Sequence, residues 1–174
     1  MRCSLRYNNS NKLLYYRVLI IGFTKTGKSR IVRSICNKFK TSYITTNAIY
    51  IKKIISHHIK NKPDNWNSYE ETIKLITLIK VIDMTNIVII DNIALWLANI
   101  MVLKMNCYNE VDKLLMALKK RRNWIIITHE LNEYISIDLL NTRFIRLLKS
   151  TNQQLSTIAK QVYVNLTGYT LKLK

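Results

Sequence analysis

Gly22-Phe23-Thr24-Lys25-Thr26-Gly27-Lys28-Ser29 is the stretch whose reading decides the fold. It follows the apolar run Val18-Leu19-Ile20-Ile21 and precedes Arg30-Ile31-Val32-Arg33-Ser34-Ile35. The pattern G-x-x-x-x-G-K-[ST] between a strand and a helix is the signature of a phosphate-cradling loop. Its physical demand is close backbone approach. Gly22 and Gly27 are expected to let the loop turn, so that successive N–H groups face a phosphate chain at a helix N-terminus, where the dipole also favours negative charge. Lys28 is the candidate for the β- and γ-phosphates, and the Ser29 hydroxyl for Mg²⁺. The competing reading, a glycine-containing surface turn, lacks a reason for the strand before the motif and the helix after it.

Working outward, residues 28–39 carry Ile31, Val32, Ile35 and Phe39 at helical spacing, and Tyr43-Ile44-Thr45-Thr46 reads as a second strand. Strand, loop, helix and strand together predict a parallel sheet. Apolar spacing predicts helices over 49–58 and 69–82, separated by a break that carries the single proline, Pro63. Ile87-Val88-Ile89-Ile90-Asp91 predicts a buried strand that delivers a carboxylate to the C-terminal edge, where ligands of open α/β sheets bind. Further helices are expected over 94–105, 110–122, 137–148 and 152–161, with a strand at 124–128 running into His129-Glu130. Residues 162–166 and 169–172 predict a terminal hairpin around Gly168. The expected organisation is a polar arm over 1–16 and one α/β domain over 17–174.

Composition narrows the class. No apolar run reaches the roughly 20 residues that a membrane-spanning helix needs, and the first 16 residues lack a secretory apolar core. Three cysteines (Cys3, Cys36, Cys107) without metal-ligand spacing suit a reducing compartment, so a cytoplasmic location is expected. The net charge of +18 invites a nucleic-acid reading. However, the 28 Lys and Arg are spread along the chain, with Lys119-Lys120-Arg121-Arg122 the one tight cluster. Heavy joint use of Ile, Asn and Lys, which share AT-rich codons, explains the excess without a polyanionic partner, so a specific nucleic-acid partner is not expected.

Among chemistry-bearing residues, Asp91 ends four buried apolar positions and would be costly there without a metal or a hydrogen-bond donor. Ser29 and Asp91 are therefore the candidate metal ligands, and a strand-end ion pair is the alternative for Asp91. His57-His58 precedes the proline break. Imidazole is a competent nucleophile toward phosphorus at neutral pH, although a solvated or packed histidine is the commoner case. His129-Glu130 falls on the same sheet edge and within reach of a nucleotide. Cys36 lies on a helix face and reads as packed rather than reactive.

The series Gly22…Gly27-Lys28-Ser29-Arg30, Tyr43-Ile44-Thr45-Thr46, His58-x4-Pro63-x2-Trp66-x3-Glu70, Asp91-x4-Trp96-Leu97-x-Asn99, Thr128-His129-Glu130 and Phe144-x7-Asn152-Gln153 extends over roughly residues 17–174. It resembles the bifunctional adenosylcobinamide kinase/adenosylcobinamide-phosphate guanylyltransferase family of cobalamin biosynthesis. The resemblance implies a P-loop NTPase-like fold with a mostly parallel central sheet flanked by helices. It also implies a homotrimer with sites between subunits. The implied activity is phosphorylation of adenosylcobinamide with ATP or GTP, followed by transfer of GMP from GTP through a histidine, with Mg²⁺ as cofactor. By position, His58 matches the guanylylated histidine, and Lys28 is the other catalytic candidate. Thr45, Thr46, Asn47, Ile59, Lys60, Asn61, Glu70 and Asp91 join the loop residues 22–29 as nucleotide-site candidates. The chain departs from the family pattern at Phe23, where a second glycine is usual, and at Ile54 and Ile145. Two other readings stay open: an RNA-holding NTPase, and a relative that has kept the fold but lost one or both activities.

Overall fold

The computed structural model describes residues 16–23, 26–47, 63, 65–130, 139–166 and 169–174. Seven strands among them form one sheet in the order β3-β2-β4-β5-β1-β6-β7. These are β1 (Arg17–Gly22), β2 (Thr41–Thr45), β3 (Trp66–Glu70), β4 (Ile87–Asp91), β5 (Trp124–Thr128), β6 (Gln161–Leu166) and β7 (Tyr169–Lys172). Every pairing is parallel except β6 with β7, which is antiparallel. The helices are α1 (Lys28–Cys36), α2 (Leu75–Val81), α3 (Ile93–Val102), α4 (Cys107–Lys120) and α5 (Leu139–Ile158).

The central strands are continuous apolar runs because both of their faces are covered. Alternation along them divides the core in two. Leu19, Ile44, Val88, Ile90, Trp124 and Ile126 pack on one face with residues from α2 to α5, including Leu75, Trp96, Leu114 and Leu155. Val18, Ile20, Tyr43, Ile87, Ile89 and Ile125 pack on the other with Val32 and Cys36 of α1. Each fully buried Leu, Ile or Val contributes about 1.5–3 kcal/mol relative to exposure.

β1 lies between β5 and β6, whereas the chain leaving α1 crosses β5 and β4 to build β2. Strands reached by opposite excursions from β1 leave a crevice at their C-terminal ends, which is where open α/β sheets bind ligands. Register brings the ends together: Thr45 pairs with both Asp91 and Glu70, Asp91 with Ile127, and Gly22 with Asn165.

Two expectations change. Residues 69–82 are not one helix: Trp66–Glu70 is an edge strand on β2, and α2 is confined to Leu75–Val81. Glu71 makes the break, its carboxylate accepting from the N–H groups of Ile73 (2.9 Å) and Lys74 (2.7 Å). The two helices expected over 137–148 and 152–161 are a single helix, α5. The region read as its interruption is kept helical, with Thr151 Oγ1 donating back to Leu147 O at 2.8 Å. The expected helix over 49–58, the hairpin turn at Gly168 and most of the 1–16 arm lie outside the described residues.

Candidate active site

The site begins with two glycines whose roles differ. Gly27 is the N-cap of α1 and has φ 92°, in the left-handed region that favours glycine. Its carbonyl accepts from Arg30 N (3.0 Å) and Ile31 N (3.2 Å), starting the helix directly behind the loop. Gly22, expected to provide a turn, is instead the last residue of β1. A Cβ there would stand 2.4 Å from the backbone oxygen of Asn165 on β6, so glycine is required by strand packing.

Lys28, the first residue of α1, is only 6% exposed. Its ammonium donates to Gly22 O at 2.9 Å and Phe23 O at 2.5 Å. Burial lowers its pKa from the ordinary lysine value, and the negative charge of Asp91 opposes that shift. The first turn of α1 contains no acid, so the helix dipole and the lysine act on an anion with the same sign.

Asp91 sits at the end of β4 and is bonded from two sides. Ser29 Oγ donates to Oδ2 at 2.8 Å, and the Tyr43 hydroxyl of β2 donates to the same oxygen. The need for donors at this strand-end acid, expected from desolvation, is met by these hydroxyls. Burial and Asp91 together push the Tyr43 pKa well above the usual phenol value, so Tyr43 remains a donor. Its ring stacks on Trp66, with centroids 5.6 Å apart. Next along the chain, Asn92 caps α3 by accepting from Leu95 N at 2.9 Å, and Thr46 donates to Asn92 O.

The outer strands complete the edge. Thr45 Oγ1 donates to Tyr69 O at 3.3 Å, and Asn47 Nδ2 donates to Glu70 Oε1 at 3.2 Å. Asn99, 4% exposed on α3, donates to Asn47 O (2.9 Å) and Thr72 O (3.1 Å), holding the segment after β2 in place. The structure therefore brings Gly22, Phe23, Thr26, Gly27, Lys28, Ser29, Thr45, Thr46, Asn47, Glu70 and Asp91 to one edge. Thr24, Lys25, His57, His58, Ile59, Lys60 and Asn61 lie outside the described residues. Sequence reasoning missed Tyr43 as a site residue. Its signal is geometrical: Tyr43 pairs with Ile89, two positions before Asp91 on the same face of β4, but that register is not written in either segment alone.

Residues 18–173 match the model of the family described as cobinamide kinase / cobinamide phosphate guanyltransferase. The chain belongs to this family. A search of the curated proteins finds none that matches it. The family is one of nucleotide-using transferases of cobalamin biosynthesis, in agreement with a loop, a buried lysine and an acid collected at one sheet edge. Among the described residues no helix is long and apolar enough to cross a membrane.

The donor set also bears on the metal. Among the described residues no group of three or more His, Cys, Asp or Glu side chains could hold an ion alone. Ser29 and Asp91 offer a hydroxyl and a carboxylate 2.8 Å apart, both hard oxygen donors. That fits Mg²⁺, which is commonly bound by one or two carboxylates together with substrate phosphates.

Proposed function

We propose that this chain phosphorylates adenosylcobinamide with ATP or GTP, and then transfers GMP from GTP to the phosphorylated product through His58. The observation that carries the reading is the Lys28–Ser29–Asp91 cluster behind Gly27, in a chain whose family performs these two reactions.

In the first step a hydroxyl of the substrate attacks the γ-phosphorus and the nucleoside diphosphate leaves, the hydroxyl proton passing to a base or to water. The loop N–H groups and Lys28 hold the phosphates in line, and the lysine acts from a partly desolvated position where its charge counts for more than in water. Ser29 and Asp91 would hold Mg²⁺, which when bound neutralises charge on the phosphate oxygens. In the second step an imidazole nitrogen of His58 attacks the α-phosphorus of GTP and pyrophosphate leaves. A phosphate oxygen of the substrate then displaces the imidazole, giving a diphosphate-linked product. Thr45, Asn47 and Glu70 are assigned to the nucleotide because they line the same edge one and two strands away from Asp91.

The test is product analysis with cobinamide, Mg²⁺ and either ATP or GTP. Cobinamide phosphate with either nucleotide and GDP-cobinamide with GTP alone are expected. Release of inorganic phosphate from the nucleotide with the corrinoid unchanged would overturn the reading.

A further inference from the structure

His129, the one histidine among the described residues, follows β5 and is held between two other strand ends. Its Nδ1 is 3.3 Å from Gly22 O and its Nε2 is 3.1 Å from Asn92 Nδ2. A carbonyl oxygen only accepts, so Nδ1 carries a proton. The Asn92 amide cannot be turned round at no cost, because its Oδ1 already accepts from Leu95 N and caps α3. Its Nδ2 must therefore donate, and Nε2 must present a lone pair. The two contacts together specify a neutral imidazole with its proton on Nδ1. The backbone of His129 is fixed from α5, where Asn152 Nδ2 donates to His129 O at 3.1 Å and Asn152 Oδ1 accepts from Thr128 Oγ1 at 2.8 Å. Burial and, next, the charge of Lys28 lower the His129 pKa, in keeping with the neutral form.

What the imidazole joins matters more than the bonds themselves. Gly22 O is also the acceptor for Lys28, and Asn92 is the residue after Asp91. We propose that His129 is a positioning residue, a neutral strut between the Gly22 carbonyl that holds Lys28 and the Asn92 amide beside Asp91, which sets the separation of the cation from the acid. The inference rests on the reading of this edge as a nucleotide site. The effect of the strut passes through Lys28 on one side and Asp91 on the other.

The experiment combines a spectroscopic arm with a binding arm, using the full chain. The imidazole ¹⁵N shifts of His129 at neutral pH are expected to show the Nδ1–H tautomer. Titration with GTP and Mg²⁺ is expected to show that His129→Leu weakens binding about ten-fold, but less than about two-fold when added to Lys28→Ala, because coupled residues are not additive. His129→Asn, whose amide nitrogen takes roughly the place of Nδ1, is expected to recover most of the loss, and His129→Gln much less. If His129→Leu does not fold, the Asn and Gln pair carries the binding arm. An Nε2–H tautomer, equal losses with and without Lys28, or equal recovery by Asn and Gln would overturn the proposal. A wild-type chain that shows the expected tautomer but binds no nucleotide would instead overturn the reading of the site, and the role with it.

Discussion

Two buried cations stand at opposite edges of the sheet, and they are buried for different reasons. Lys28 lies at the C-terminal edge and Arg121, 2% exposed, at the N-terminal edge just before β5. In both, burial lowers the pKa and one carboxylate opposes it, Asp91 for the lysine and Asp83 for the arginine. Both donate to backbone carbonyls. Arg121 Nη1 reaches Ile79 O (3.0 Å) and Ile82 O (2.9 Å), while Nη2 reaches Asp83 O (2.6 Å) and Asn86 O (3.4 Å). Four N–H groups thus meet four carbonyls where α2 ends, and Nε has no partner among the described residues. Lys28 uses two of its three N–H groups on the loop and stands beside Ser29 and Asp91. A cation whose four terminal N–H groups are all taken up by backbone carbonyls is a fastener. A cation with donor capacity left over, next to an acid and behind a positive-φ glycine, is equipped to take an anion, the role proposed for it. The contrast also bears on the basic cluster 119–122, because one of its four charges is turned into the core.

The comparison is broken most directly by exchanging the two outcomes. Lys28→Ala is expected to lower phosphoryl transfer by about two to three orders of magnitude, the scale for losing a donor to developing charge, with little change in melting temperature. Arg121→Met is expected to do the reverse. It leaves buried carbonyls unsatisfied at a cost of about 3 kcal/mol, which lowers the melting temperature by roughly 6–12 °C, while the folded fraction keeps its nucleotide affinity. Parallel melting and turnover measurements on the two variants decide the matter. Next in size, Asp91→Asn is expected to cost about a hundred-fold in turnover and to raise the Mg²⁺ concentration needed for half-maximal activity. An unchanged Mg²⁺ dependence would remove Asp91 from the metal.

The parts of the molecule legible in the sequence are those where one local rule decides. The loop 22–29 carries its own motif, and β1, β4 and β5 are apolar runs that only a two-sided core explains. The rest depended on partners far away in the chain. Tyr69, Ile73, Ile76 and Ile79 match helical spacing, yet Trp66–Glu70 gains more as a strand because its backbone pairs with β2, and its exposed Asn67 and Ser68 suit an edge. The gap left between the two expected helices, residues 149–151, holds Ser150 and Thr151, whose side chains compete locally with the helix. In the fold Asn152 is buried and holds the end of β5, a use that no local rule announces. Gly22 was legible as essential but not for the right reason, since its neighbour Asn165 is far along the chain.

Two smaller effects sharpen the contrast within the site itself. Gly22→Ala is expected to cost about 1–3 kcal/mol of stability, the scale of an overpacked core, because β1 and β6 must part to admit the methyl group. Denaturant unfolding would detect it. The smallest effect is a pH slope. The folded His129 pKa lies below the unfolded value of about 6.5, so the unfolded chain takes up more protons between the two. The stability that comes from keeping His129 neutral is fully present above about pH 6.5 and is lost as the pH falls through the lowered folded value. Unfolding measured across this range is expected to steepen in the wild type and to flatten in His129→Asn.

The central claim is that this edge of the sheet uses nucleoside triphosphates for two transfers, one of them through a histidine. Purified protein incubated with Mg²⁺ and GTP labelled at the α-phosphate tests it most directly. The account predicts an acid-labile, alkali-stable label on the peptide containing His57 and His58, absent from His58→Ala and from Lys28→Ala. Undiminished guanylyl transfer by the His58→Ala protein, or no protein-bound label from a chain that binds GTP, would contradict it.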